Sequence, residues 1–99
     1  MSKVGTALVR VRQPERLASW PHVNGLSPVT CRAMRAWLGW TQADLAALAK
    51  CTISVISGLE HGDHNPRPAH AKAILAVFDA FGGEIIMRDG KPVGIMFFP

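Results

Sequence analysis

A chain of 99 residues is long enough for one small domain with a modest core. Its 48% hydrophobic and 18% charged content excludes general disorder, and no apolar run reaches the length of a membrane span. Two cysteines do not make a secreted disulfide framework and no signal peptide is visible, so a soluble cytoplasmic protein with reduced thiols is expected. The net charge of +4 suits a polyanionic partner without specifying one.

Most of that charge lies in residues 1–26, where Lys3, Arg10, Arg12 and Arg16 stand against Glu15. In this arm Leu8 to Arg12 alternates weakly, as an edge strand does. Pro14, Pro21 and Asn24-Gly25 punctuate it, and Trp20 and Val23 are apolar enough to pack. Ser27-Pro28 then starts a first helix, with serine as N-cap and proline at the first helical position. It runs to about Leu38, stops at Gly39, and uses Met34, Trp37 and Leu38 as its apolar face. Trp40 is expected to plug the corner that follows.

Thr41 is an N-cap for a second helix whose apolar side is Leu45, Ala46, Leu48 and Ala49. Lys50-Cys51 breaks the run, and Thr52 caps a third helix that ends at Gly62. Ile56 and Leu59 point inward with Val55 beside them, which leaves Ile53, Ser54, Ser57, Gly58 and His61 outward. Helices this short do not persist alone, so they must pack on each other. Gly62 to Pro68 forms a loop. A fourth helix over residues 68–81 is packed through Ala73, Ile74, Val77, Phe78 and Phe81, and Gly82-Gly83 ends it.

Glu84 to Arg88 and Pro92 to Phe98 are strand patterns around Asp89-Gly90, a two-residue hairpin turn. Both faces of this hairpin are apolar, and a lone exposed hairpin of that kind is unstable and sticky. Burial against a second copy, packing on its own domain, or both would resolve it.

Chemistry is sparse. There is no glycine-rich phosphate loop, no pair of carboxylates at useful spacing and no nucleophile with a base, so an enzyme is not expected. His61, His64 and His70, with Cys51 or Asp63, lack convincing metal spacing and read as loop histidines; no metal or cofactor is assigned.

Residues 41–62 resemble the helix-turn-helix of the lambda-repressor/Cro-like (XRE) family of DNA-binding proteins. The likeness rests on Gln42, Leu45-Ala46, Leu48-Ala49, Cys51, Ile56, Leu59-Glu60 and Gly62, with Arg35, Gly39 and Asn65-Pro66 flanking; it covers roughly residues 28–81. The resemblance implies a mainly α fold: a four-helix helix-turn-helix domain over 27–81, between the basic arm (1–26) and a dimer-forming β-hairpin (82–99). It implies a phosphate contact at Gln42, a reader made of Thr52, Ile53, Ser54, Ser57, Gly58 and His61, and backbone contacts from His64, Asn65 and Arg67. It also implies a semi-buried pair between Arg35 and Glu60. Where the family has glycine this chain has Lys50, which must then take a positive φ. The reader is short of side chains that make bidentate base contacts, so DNA shape or the arm would have to add specificity.

The arm then has two readings, a basic extension onto DNA or a strand that packs on a subunit. Like short family members that pair through C-terminal strands, the chain is expected to dimerise through Ile85, Met87, Val93, Ile95, Phe97 and Phe98. The function implied is a repressor that binds a palindromic operator on double-stranded DNA as a homodimer. The alternative is an antitoxin that binds a toxin protein and regulates its own operon, and a third reading is an adaptor that has lost base reading. No membrane partner is expected.

Overall fold

A computed structural model describes residues 21–63 and 65–99. The expected strand at Leu8 to Arg12, Trp20 and His64 lie outside the described residues. Among the described residues there are four helices and one hairpin: α1 (Pro28–Leu38), α2 (Gln42–Ala49), α3 (Ile53–His61), α4 (Pro68–Ala80), β1 (Gly83–Arg88) and β2 (Lys91–Phe97).

Local chemistry sets most boundaries. Ser27 and Thr30 exchange side-chain bonds with each other's backbone N–H in a capping box at α1, and Thr41 and Asp44 do the same at α2. Thr52 caps α3 by accepting from the Val55 N–H. Gly39 and Gly62 end α1 and α3 in the left-handed region, where a missing Cβ removes the clash. At α2 the same position is Lys50, with φ 58°. Lys50→Gly is therefore expected to stabilise the domain by about 1 kcal/mol. A denaturant midpoint that stays put or falls would show that the turn carries no strain.

The core is Leu26, Cys31, Met34, Leu45, Ala46, Ala49, Ile56, Leu59, Ala71, Ile74 and Phe78. α2 packs on α3 and α4, α1 on α3 and β2, and α4 on β1. Small Ala46 sits buried where α2 crosses its neighbours. Three of the residues expected to pack inward are exposed instead. Leu48 is 45% exposed. Successive helical residues turn by about 100°, so Leu48 falls about 100° from the middle of the buried Leu45–Ala46–Ala49 face. Trp37, 68% exposed, lies at the rim of α1 and stacks on Phe97 with ring centroids 5.5 Å apart. Phe81 follows the end of α4, one residue earlier than expected, and is 51% exposed. It meets Trp40 edge-on at 4.8 Å, while Trp40 also stacks on Phe78 and so fills the corner after α1.

β1 and β2 pair antiparallel from Gly83 opposite Phe97 to Arg88 opposite Lys91, with a bulge between Ile86 and Met87. Asp89 (φ 52°) and Gly90 (φ 76°) make the two-residue turn with both residues at positive φ. Ile85, Ile95 and Phe97 pack against the core of their own chain. Of the six residues expected to pair two copies, these three are thus occupied within the subunit, while Met87, Val93 and Phe98 are 41–53% exposed. Met96, on the outward face opposite Glu84, is 45% exposed and joins them.

The segment before α1 clips onto this hairpin. Val23 and Leu26 exchange two backbone bonds of 2.9 Å around Asn24 and Gly25, both at positive φ. A Cβ on Gly25 would stand 2.9 Å from Ile85 and Met87 side-chain atoms, so only glycine lets the turn lie against β1. His22 accepts the Gly25 N–H on Nδ1 (3.0 Å) and donates from Nε2 to the Gly90 carbonyl (3.0 Å). The imidazole thus joins the turn to the hairpin tip in one tautomer. Among the described residues, no helix is long and apolar enough to cross a membrane.

Candidate nucleic-acid interface

α3 is held at its C-terminal end by one buried carboxylate. Glu60 is only 2% exposed, a position a carboxylate occupies at a cost unless its oxygens are well partnered. Here Arg35 donates from Nη2 to Oε1 (2.7 Å) and from Nε to Oε2 (2.9 Å), a two-bond fork. Gln42 donates to Oε1 (3.1 Å) and the Cys31 thiol to Oε2 (3.2 Å). Arg32 donates to the Glu60 backbone carbonyl, and Arg35 reaches the Trp40 carbonyl with its remaining Nη1 at 2.8 Å. The side chain of Glu60 therefore ties α3 to α1 and to the start of α2.

Burial opposes ionisation of Glu60. The bonds from Arg35, Gln42 and Cys31, with the charge of Arg35, outweigh it and hold its carboxyl below the ordinary value of 4.5. Burial pushes the Cys31 thiol up, and the adjacent Glu60 charge and bond push it further, so Cys31 stays protonated and serves as a donor. The bond to Glu60 likewise raises Arg35.

A carboxyl lowered on folding stabilises the native state fully above its unfolded pKa, and that contribution is lost as pH falls through the folded value. Stability is therefore expected to drop below about pH 4.5, and Glu60→Gln is expected to flatten that drop. Denaturant midpoints followed downward from about pH 6 check it, and parallel acid profiles for the two proteins would remove Glu60 as the cause.

The exposed surface of α3 begins with Thr52, Ile53 and Ser54, all outward at its N-terminal end. Ile53 is 51% exposed. Ser57 is half-buried, and its hydroxyl lies 3.2 Å from Nδ1 of exposed His61, so these two side chains partner each other along one helix face. Gly58 is buried, not outward as expected. A glycine has only backbone to show, and helix backbone lies beneath the neighbouring side chains. It offers no atom to a base. The Thr52 hydroxyl is engaged with the Val55 N–H at 3.4 Å.

Around this surface, Gln42 stands at the N-terminus of α2 with its side chain turned to Glu60, which leaves its helix-end backbone N–H as the group suited to an anion. Asn65 and Arg67 are exposed and border an open groove with Val55, Pro66 and His70. Lys50 is exposed at the turn between α2 and α3. The roles of Cys31 and Arg32 at Glu60 were not foreseeable. A cysteine in a helix reads as a small apolar residue, and nothing local marks Arg32 as reaching a carbonyl 28 residues away.

The arrangement is a cross-bonded helix pair that presents the N-terminal end of α3, flanked by backbone N–H and basic groups. Its short hydroxyls and one aliphatic side chain make single hydrogen bonds and methyl contacts, not two-bond forks. No curated protein matches the chain. A helix-turn-helix (HTH_3) family model matches residues 32–80, from within α1 to the end of α4. Residues 32–80 thus form a helix-turn-helix domain of the lambda-repressor-like (XRE) family, a non-catalytic DNA-binding family, and this domain implies a DNA-binding regulator.

Proposed function

We propose that the protein is a transcriptional repressor that occupies a palindromic operator as a homodimer. The observation that carries the dimer is the exposed apolar surface of the hairpin. Among the described residues, Met87, Val93, Met96 and Phe98 are each 41–53% exposed on or just beyond its two strands, Met87 on the face of Ile85 and Met96 on the other. Large apolar side chains gathered on so small an element favour association over a solvent face. Pairing two copies there would cover them and relate two α3 helices by a two-fold axis, which suits half-sites about 34 Å apart. Repression would follow where that operator overlaps a promoter.

Sedimentation equilibrium at micromolar concentration tests this directly. The native chain is expected to give a dimer mass, and Met96→Glu a monomer with an unchanged helical spectrum. A native monomer would contradict the proposal. A toxin protein is the second candidate for this hairpin surface, and a complex of fixed stoichiometry with such a partner would favour the antitoxin reading.

A further inference from the structure

We infer that Ile53 reads the C5-methyl group of a pyrimidine, so that the operator carries thymine opposite the N-terminal end of α3. The inference rests on the reading that α3 enters the major groove. From Thr52 to His61 there is no Arg, Lys, Asn or Gln, the side chains that hold guanine or adenine by two bonds. The Thr52 hydroxyl caps its own helix, and Ser57 and His61 bond each other. Gly58 has no side chain and is buried. What remains at the leading end is the Ser54 hydroxyl, which suits any base, and Ile53. Ile53 is the first residue of α3 and half of its surface is open to solvent. The major groove has one apolar marker, the C5-methyl of thymine. An exposed branched aliphatic side chain at the leading end of the reader matches that marker and no other feature of the base edges.

The test is a methyl-deletion cycle on DNA selected from a random pool by the full chain. Each thymine of the selected half-site is replaced by deoxyuridine, which removes only the C5-methyl. Affinities are measured for the native protein, Ile53→Val and Ile53→Ala at one salt concentration. Burying one methyl is worth about fourfold in affinity. One uridine position is therefore expected to weaken the native protein about fourfold, Ile53→Val by less, and Ile53→Ala hardly at all. Because Ile53 is exposed, the variants are expected to keep the native thermal midpoint.

A selected half-site without thymine overturns the inference. So does uridine sensitivity that is the same in the native protein and Ile53→Ala, or a native protein indifferent to every uridine. In these cases DNA binding itself still stands. Failure to select any DNA overturns the DNA reading, and this inference with it.

Discussion

Arg35→Ala is expected to cost about 3 kcal/mol of stability and to lower DNA affinity in the same step. The reason is the burial of its partner. Glu60 is 2% exposed, and Arg35 supplies two of its four side-chain hydrogen bonds and its neutralising charge. Removing the guanidinium leaves a carboxylate in a poorly solvated site with only Gln42 and Cys31 as donors. That residual pairing puts the cost near the low end of the range for a broken buried pair. The bond to the Trp40 carbonyl goes as well, so the corner between α1 and α2 loosens. In a domain of this size the thermal midpoint should fall by more than about 10 °C. Arg35→Lys should recover only part of the loss, since an ammonium lacks the planar fork. Thermal and denaturant unfolding of both variants checks this; an unchanged midpoint in Arg35→Ala would mean that Glu60 is stabilised by other means.

Phe78→Ala is expected to be as damaging or worse, at about 3–5 kcal/mol. Phe78 has no exposed surface and is among the largest fully buried side chains. It lies on α4, which packs on both α2 and β1, and its ring stacks on Trp40 at 6.3 Å. Truncation would leave a cavity lined by an indole and aliphatic groups that α4 cannot fill without moving off the hairpin. Small domains are stable by only about 5–15 kcal/mol, so the variant should sit near the limit of folding at 37 °C or below it. Phe78→Leu, which refills most of the volume, should recover over half of the loss. Equilibrium denaturation of the pair measures it, and a loss under about 1 kcal/mol would contradict the packing described.

What was legible in the sequence was local. The N-caps Ser27, Thr41 and Thr52, the stops Gly39 and Gly62, and the Asp89-Gly90 turn are side-chain chemistry acting over four residues. Leu45, Ile56, Leu59 and Phe78 follow from helical spacing. Spacing is weaker at the margins of a face. A broad apolar stripe does not separate buried Ala49 from exposed Leu48, or Met34 from Trp37. In the hairpin both faces are apolar, so alternation could not say that Ile85, Ile95 and Phe97 face inward and Met96 outward. The convergence of Cys31, Gln42 and Arg35 on Glu60 spans three helices. Of that set, the family resemblance pointed to Arg35 and Glu60; the other donors depend on how the helices cross, which no local pattern encodes.

In the function proposed above, α3 reads DNA from a two-fold dimer. The most direct measurement is selection of bound DNA from a random pool, followed by affinity for the selected site against a scrambled one across a series of salt concentrations. An inverted repeat with half-site centres about 34 Å apart is expected, with an affinity that falls steeply with salt as phosphate contacts release counterions. A preference over scrambled DNA should persist across the series. Equal affinity for the selected and scrambled sites, or a selected site without two-fold symmetry, would contradict it.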